Sequence, residues 1–272
     1  MRIERLDGPA GSLAVRRFEG IGAPLLAIHG FGLHGGQFGP VASVGGMAID
    51  APDLPGHGLT TLAPVDLDTT ITALAARIET QAGRSRVLGY SQGGRLAFHL
   101  AWRRPDLVES LVIVSAGPGL ETQARAARRA ADDARANRIE RLGIDAYLDG
   151  WLDDPVFGTT RLDPGARAAD RALRLENTAH GLAAAVRGLG QGALPRVPVE
   201  DLHLPILWIA GSVDTAYMGM MSLLASGRGE EPVVVPSAGH NVIAEAPGAV
   251  AEAIARAVDQ GDPPDPDGPT PG

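Results

Sequence analysis

A short glycine-rich segment in the first half of the chain has the pattern that presents a serine hydroxyl for chemistry. The segment is Gly89-Tyr90-Ser91-Gln92-Gly93, and it lies between a predicted strand and a predicted helix. In that context G-x-S-x-G forms a tight turn that exposes the serine Oγ at the helix N-terminus, and its small residues let the strand and the helix approach closely. Ser91 is therefore the first candidate for a reacting group.

A reacting serine needs a base, and that base needs a carboxylate to orient it. Asp214 follows the apolar run at 206–210, and His240 follows the apolar run at 233–235. Because the carboxyl ends of parallel strands meet at one edge of a sheet, both side chains can reach Ser91 there. The chain order serine, aspartate, histidine fits this arrangement. The sequence therefore predicts Ser91, Asp214 and His240 as one catalytic set.

Two backbone amides are predicted to stabilise a negatively charged oxygen beside Ser91. The loop at 29–32 follows an apolar strand. In such sheets this loop donates one N–H, and the residue after the serine donates the other. We assign these two donors to Phe31 and Gln92. The side chains of His29 and His57 are expected to support the turns in which they lie rather than to react.

The composition excludes several other chemistries. The chain has 272 residues without cysteine, and its 24 basic residues are all arginine. Disulfides, thiolate sites, lysine Schiff bases and a P-loop are therefore excluded. The seven histidines show no metal-ligand spacing, and no G-x-G-x-x-G opens a helix after the first strand, so we expect neither a metal nor a cofactor. The formal charge of −8 argues against nucleic acid as a partner.

The sequence predicts a cytoplasmic protein that has no membrane partner. The first residues lack an apolar run of signal-peptide length. No stretch approaches the ~20 apolar residues that a membrane helix needs. The oligomeric state stays open, and a monomer is compatible with the sequence.

Strands and helices alternate in the first half of the chain. Alternating or continuous apolar runs predict strands, and apolar residues at helical spacing predict helices. The predicted strands are 13–18, 25–28, 47–49, 86–90 and 107–115, and the predicted helices are 67–80 and 96–103. This alternation predicts an α/β fold with a mostly parallel central sheet flanked by helices.

The middle and the end of the chain have a different character. Residues 121–195 are rich in alanine, arginine, aspartate and leucine with helical periodicity, which predicts a helical cap inserted into the sheet domain. The core then comprises 1–120 and 196–258, including a closing helix. Residues 259–272 contain five prolines and four aspartates and are predicted to be a disordered tail.

Together these motifs resemble the α/β-hydrolase superfamily, including the turn Asp-Leu-Pro-Gly-His-Gly at 53–58. Within it, the sequence resembles the MenH family in the serine turn at 89–93 together with the Gly94-Arg95 that follows it. The same resemblance extends to the cap segments at 128–132, 151–157 and 174–183. Members of that family are 2-succinyl-6-hydroxy-2,4-cyclohexadiene-1-carboxylate synthases of menaquinone biosynthesis. The resemblance implies a lyase that eliminates pyruvate from 2-succinyl-5-enolpyruvyl-6-hydroxy-3-cyclohexene-1-carboxylate, a small carboxylated substrate.

The resemblance also implies a set of residues that bind this substrate. Arginine suits a substrate with several carboxylates because its planar guanidinium pairs with them bidentately. Two positions stay open: Arg128 rather than Arg129 can face the pocket, and His34 stands where the family has a different loop. The implied substrate-binding residues are Tyr90, Arg95, Arg129, Trp151 and Arg174.

The implied reaction uses serine as a base. His240, oriented by Asp214, deprotonates Ser91, which then removes the proton α to the succinyl ketone while two backbone amides hold the enolate. The alternative is a serine hydrolase, either a carboxylesterase or a C–C bond hydrolase, that uses the same three residues. A further hypothesis is a non-catalytic, ligand-binding member of the superfamily. The presence of all three residues Ser91, Asp214 and His240 disfavours it.

Overall fold

Eight strands form one sheet in the part of the chain that the structure describes. This computed structural model describes residues 1–81, 83–151 and 162–261, the last three by their backbone alone. The sheet order is β1-β2-β4-β3-β5-β6-β7-β8; the pairs β1/β2 and β2/β4 are antiparallel, and the other pairs are parallel. The prediction of a mostly parallel α/β sheet is confirmed. The strands are β1 Arg2–Gly8, β2 Gly11–Phe18, β3 Ile21–Ile28, β4 Met47–Pro52, β5 Ser85–Tyr90, β6 Val108–Val114, β7 Ile206–Gly211 and β8 Val233–Val235.

Ten α-helices accompany these strands within the described residues. Most of them follow a strand, as expected where parallel strands are joined by crossover connections. The helices are α1 Gly39–Gly45, α2 Leu67–Glu79, α3 Gln92–Arg103, α4 Thr122–Leu142, α5 Ile144–Trp151, α6 Pro164–Leu175, α7 Ala179–Leu189, α8 Thr215–Gly227, α9 Val242–Glu245 and α10 Pro247–Gly261.

The central strands are buried on both faces, which explains their continuous apolar sequences. In β3, Leu26 and Ile28 face the side that packs against α2, α3 and α8. Leu25 and Ala27 alternate with them and face the side covered by α1 and α10. The two cores hold the sheet rigidly, so the loops at its carboxyl edge start from well-defined positions.

Helices α4 to α7 form an insertion between β6 and β7 that has a small apolar core of its own. Ile139, Tyr147, Trp151 and Leu182 are buried in it, and Phe31 from the loop after β3 packs against them. The insertion therefore rests on the carboxyl edge of the sheet. The predicted cap is 121–195, and α4–α7 occupy 122–189 of it. Of the predicted tail, 259–272, the part after position 261 lies outside the described residues.

The first strand escaped the sequence analysis for a physical reason. Strand β1 lies at the edge of the sheet, where both of its faces are largely exposed. An edge strand needs no buried face, so its sequence lacks the alternation that reveals a half-buried strand. Among the helices that the structure describes, none combines the length and apolar character required to cross a bilayer.

Candidate active site

Ser91 lies in a strained turn between β5 and α3. Its φ of 52° and ψ of −109° lie outside the usual regions for a residue with a side chain. The turn is possible only because its neighbours are glycines. A Cβ on Gly93 would stand 2.0 Å from the Ile28 carbonyl oxygen, and one on Gly94 would stand 2.3 Å from the Ala116 Cβ. The G-x-S-x-G-G run thus lets α3 pack directly onto the strands.

The structure brings Ser91, His240 and Asp214 into one hydrogen-bonded chain. The distance from Ser91 Oγ to His240 Nε2 is 3.1 Å, and the distance from His240 Nδ1 to Asp214 Oδ2 is 2.7 Å. The three residues follow β5, β8 and β7, whose carboxyl ends lie along one edge of the sheet. Asp214 fixes the imidazole with its Nδ1–H toward the carboxylate, so Nε2 can accept the serine proton.

The loop after β3 is held by hydrogen bonds on both sides of Phe31. His29 Nε2 accepts the Leu54 N–H at 2.9 Å, and His57 Nε2 accepts the Gly32 N–H at 3.1 Å. From the insertion, the Asn177 side-chain amide donates to the Gly32 carbonyl at 3.0 Å. The two histidines therefore position this loop and do not contact Ser91.

The side chain of Gln92 does not line the cavity, and only its backbone lies beside Ser91. Its amide group is buried and donates to the Leu189 carbonyl at 3.0 Å. Gln92 is also the first residue of α3, where a backbone N–H has no acceptor within the helix. Such an N–H at a helix N-terminus favours a negatively charged oxygen.

A cavity of about 290 Å³ lies beside Ser91 under the helical insertion. Aromatic rings form part of its wall, and four arginine side chains reach it, whereas no aspartate or glutamate lines it within the described ranges. Such a cavity suits a small molecule with several negative charges. The aromatic residues are Phe31, Tyr90, Trp151 and Tyr217, and the arginines are Arg95, Arg128, Arg135 and Arg174.

Arg95 is a buried cation that lines the cavity. It is 7% exposed, it donates a hydrogen bond to Tyr217, and its Nε has no hydrogen-bond partner among the described residues. Burial lowers the pKa of this guanidinium below its usual value, an effect that a bound carboxylate would oppose. A buried donor without a partner is costly, so a carboxylate ligand satisfies a group that the protein leaves open.

Comparison with known proteins gives the same picture as this geometry. Residues 25–253 match the model of the alpha/beta hydrolase family.

The chain belongs to the alpha/beta hydrolase family.

Within this family, similar proteins share one name. The hydrolase-family chain is 31% identical over 242 residues to the 2-succinyl-6-hydroxy-2,4-cyclohexadiene-1-carboxylate synthase of Salmonella paratyphi C, covering 86% of this chain and 94% of that protein. A putative synthase of the same name from Bacillus subtilis is 36% identical over 170 residues, with 60% of this chain and 61% of that protein covered. The chain is thus an enzyme of the α/β-hydrolase superfamily that is similar to these synthases.

A solved structure agrees in fold. MenH from S. aureus has a TM-score of 0.84 to this α/β hydrolase at 23% identity, with 90% of this chain and 98% of that chain covered. At that identity the likeness shows the shared fold and carries no statement about the reaction.

Two cap arginines of this α/β hydrolase differ from the sequence prediction. Arg129 does not line the cavity beside Ser91; it borders a separate groove with Arg125. Arg128 lines the cavity instead. Consecutive residues of a helix point about 100° apart, so only one of the two can face inward. Of the two, Arg128, the alternative that the sequence left open, is therefore the one that faces the cavity.

Arg174 reaches the cavity, but it does so as a paired and buried cation. Its guanidinium is hydrogen-bonded to the Asp170 carboxylate at 2.6 and 3.2 Å, and it donates to the Phe31 carbonyl at 3.3 Å. It also lies 4.8 Å from the centroid of the Trp151 ring. Asp170 compensates its charge, and the contacts of Arg174 with Phe31 and Trp151 support the Phe31 loop. Its implied role in substrate binding stays a prediction.

Other predicted positions divide between the cavity and the scaffold. Tyr90 and Trp151 line the cavity as predicted from the resemblance, while the rest of the segment 151–157 lies outside the described residues. His34 is not among the residues that line it. Its Nδ1 accepts the Gly36 N–H at 3.0 Å, and its Nε2 lies 3.1 Å from a Glu176 carboxylate oxygen, so it belongs to the scaffold of the loop.

The sequence analysis missed two cavity residues, and a helical-spacing argument could have found both. Tyr217 lies three residues after Asp214 on α8, and its ring centroid is 4.7 Å from that of His240. Arg135 lies seven residues after Arg128 on α4, which places both on one face of the helix. Neither position belongs to a motif, so only the helix geometry indicates them.

Buried histidines in this scaffold predict a marked loss of stability in acid. Burial lowers the pKa of His57 and of His99 to about 4. Because the folded state favours the neutral imidazole, the unfolded chain binds the proton first as the pH falls below about 6.5. The contribution of these histidines to the free energy of unfolding is thus fully present above that pH and declines toward pH 4. At pH 5 each histidine should account for a loss of about 2 kcal/mol.

Urea unfolding at pH 7.5 and pH 5 measures this effect. We expect His57→Gln to lose about 2 kcal/mol less between the two pH values than the unaltered protein. The exposed His203→Gln is the control, and it should show the full loss. Equal losses in all three proteins would contradict the assignment of His57 as a buried neutral residue.

Proposed function

We propose that this enzyme is a lyase that eliminates pyruvate from 2-succinyl-5-enolpyruvyl-6-hydroxy-3-cyclohexene-1-carboxylate. The observation that carries the proposal is the hydrogen-bonded Ser91–His240–Asp214 chain opening onto an arginine-lined cavity. The proposed substrate bears three carboxylates, one each on the ring, the enolpyruvyl group and the succinyl chain. A cavity with several cations and no described acid on its wall complements that charge.

The reaction starts with the removal of a proton from the ring. His240 Nε2 accepts the Ser91 proton while Asp214 stabilises the charge that forms on the imidazole. The Ser91 oxygen then takes the proton from ring carbon 2, which is acidic because it lies α to the succinyl ketone. The ketone oxygen becomes an enolate oxygen, and the Phe31 and Gln92 amides stabilise it. One such donor is typically worth ~3 kcal/mol of the barrier.

Elimination follows along the ring. The electron pair left at carbon 2 forms the bond between carbons 2 and 3. The electrons of the original 3,4 double bond move to carbons 4 and 5, and the bond from carbon 5 to the enolpyruvyl oxygen breaks. The departing enolpyruvate takes the proton held by His240 and becomes pyruvate. The ring is left as a 2,4-diene, as in the product name of the similar synthases.

The alternative function is a serine hydrolase that acts on a small carboxylated substrate. It is favoured by the same hydrogen-bonded chain, because in a hydrolase Ser91 would attack a carbonyl carbon with His240 as base. The two functions differ in what the arginines are for. A lyase acting on three carboxylates needs them, whereas turnover of a neutral ester does not.

A test with two substrates separates these functions. The purified protein is given the enolpyruvyl-cyclohexene substrate and, in parallel, p-nitrophenyl acetate and butyrate. We expect release of one pyruvate per substrate consumed, with the appearance of the conjugated diene absorbance and slow turnover of the esters. Fast ester hydrolysis without pyruvate would replace the lyase by the hydrolase.

The buried cation gives a second test of the proposal. We expect Arg95→Gln to lower kcat/KM for pyruvate release by about 100-fold, because hydrogen bonds to charged groups are the stronger ones and the substrate charge would lose its partner. Steady-state kinetics measures the loss, and the melting temperature checks folding. The matched control is Arg103→Gln at the exposed end of the same helix, which should retain kcat/KM. An unchanged kcat/KM in Arg95→Gln would remove this residue from substrate binding.

A further inference from the structure

The cavity has two distinguishable ends. At one end Arg95 contacts Tyr217, and Arg128 donates a hydrogen bond to Gln191 at 3.1 Å. At the other end the Phe31 and Trp151 rings meet edge to face, with their centroids 5.6 Å apart. A ligand that spans the cavity thus meets Arg95 and Arg128 near the first end and the Phe31 and Trp151 rings near the second.

Arg135 supplies a cation at the aromatic end. The beginning of α4 packs on the loop after α7, where a Cβ on Gly192 would stand 2.5 Å from the Arg129 Cα. Farther along α4, Arg138 reaches Gly150, which precedes Trp151. Arg135 lies one turn before Arg138, about 10 Å along the helix from Arg128, and it lines the same cavity. Its guanidinium therefore belongs to the Trp151 end.

No described residue compensates the charge of Arg135. The other three cavity arginines each have a polar partner: Tyr217 for Arg95, Asp132 for Arg128 and Asp170 for Arg174. No hydrogen bond or ion pair joins Arg135 to any of the described residues, although its side chain is half-buried. An uncompensated cation in a partly enclosed cavity strongly favours an anionic ligand.

We infer that Arg135 binds the terminal carboxylate of the succinyl chain. The inference rests on the proposed function, in which the succinyl ketone oxygen lies at the Phe31 and Gln92 amides. From that oxygen the succinyl chain has two methylene groups before its carboxylate. Phe31 contacts Trp151, so a chain that leaves the ketone beside Phe31 can run toward the Arg135 end. The ring and enolpyruvyl carboxylates then belong to Arg95 and Arg128.

A cycle that combines a protein change with a substrate change tests the inference. The protein variants are Arg135→Gln, Arg135→Lys and, as a control on the same helix, the exposed Arg141→Gln. The two substrates are the full compound and its analogue in which the succinyl carboxylate is a primary amide. We expect Arg135→Gln to lower kcat/KM for the full substrate by about 10- to 100-fold, mainly through KM. Arg135→Lys should retain part of the activity, and Arg141→Gln all of it.

The decisive comparison is the amide analogue. In the unaltered protein the amide should cost the same 10- to 100-fold, whereas in Arg135→Gln it should cost less than about threefold, because the partner is already gone. If the amide costs Arg135→Gln as much as it costs the unaltered protein, the inference is overturned, while pyruvate release still supports the proposed function. If the unaltered protein releases no pyruvate from the full substrate, the proposed function fails and the inference fails with it.

Binding to Ser91→Ala gives a readout that does not require turnover. Calorimetric titration with the full substrate and with the amide should give a weaker Kd for the amide. Adding Arg135→Gln to Ser91→Ala should remove that difference. A difference that persists in the double variant would overturn the inference, whatever the kinetics show.

Discussion

Replacing Ser91 with alanine is expected to lower kcat for pyruvate release by about 10⁴-fold, with little change in the melting temperature. In the proposed mechanism this hydroxyl takes the ring proton, and general base catalysis by a positioned side chain reaches this magnitude. His240 Nε2 lies 3.1 Å from the hydroxyl oxygen, within reach of the proton that Ser91 must lose. The effect is measured as the rate of pyruvate formation, which a coupled lactate dehydrogenase assay monitors.

A matched serine provides the control for this experiment. Ser237 also has a positive φ, 61°, and it is exposed on the loop before His240. Ser237→Ala therefore makes the same chemical change in a similar backbone without touching the cavity, and it should retain activity. The Ser91→Ala protein should still bind the substrate, because the cavity arginines are intact. Pyruvate release in Ser91→Ala within tenfold of the unaltered protein would rule out serine as the base.

Replacing Asp214 with asparagine is expected to lower kcat by about 10³- to 10⁴-fold. The carboxylate now accepts the His240 Nδ1–H at 2.7 Å, which leaves Nε2 as the acceptor for the Ser91 proton. An amide in the same place can donate its NH₂ to Nδ1, and the imidazole proton then moves to Nε2. In that tautomer the histidine cannot deprotonate the serine, although the geometry of the site is unchanged.

The size of the loss distinguishes this role from a general effect of removing charge. Asp106→Asn removes an exposed aspartate that pairs with Arg104 at the surface, and it should leave kcat unchanged. Far-ultraviolet circular dichroism should be the same for both variants. If Asp214→Asn retains kcat within tenfold, the aspartate does not control the tautomer of His240. Another group must then keep the imidazole proton on Nδ1.

The motifs around the reacting residues are largely readable from the sequence. The run from Gly89 to Gly94 can be recognised because its glycines stand where a side chain would collide with neighbouring atoms; a Cβ on Gly93 would stand only 2.0 Å from the Ile28 carbonyl oxygen. Asp214 and His240 are legible because each follows an apolar strand, and the parallel sheet brings the ends of its strands to one edge. The buried strands can also be recognised, because burial on a sheet requires apolar residues at neighbouring positions of the sequence.

Other features of the site depend on contacts between segments that are distant in the chain. Strand β1 has no buried face, so no periodicity marks it. The support of the Phe31 loop comes from Arg174 and Asn177, more than 140 positions away, and no local pattern connects them.

The sequence by itself determined the fold class, the tight turn that carries Ser91 and the chain order of its hydrogen-bonded partners, because backbone sterics and burial on a sheet act over a few residues and leave a local signature. Only the tertiary structure decided which cap arginines face the ligand. Arg128 and Arg129 are chemically identical, and about 100° of helix rotation separates them. That rotation is set by how α4 packs on α7 and on the loop at Gly192, contacts that no spacing within α4 records.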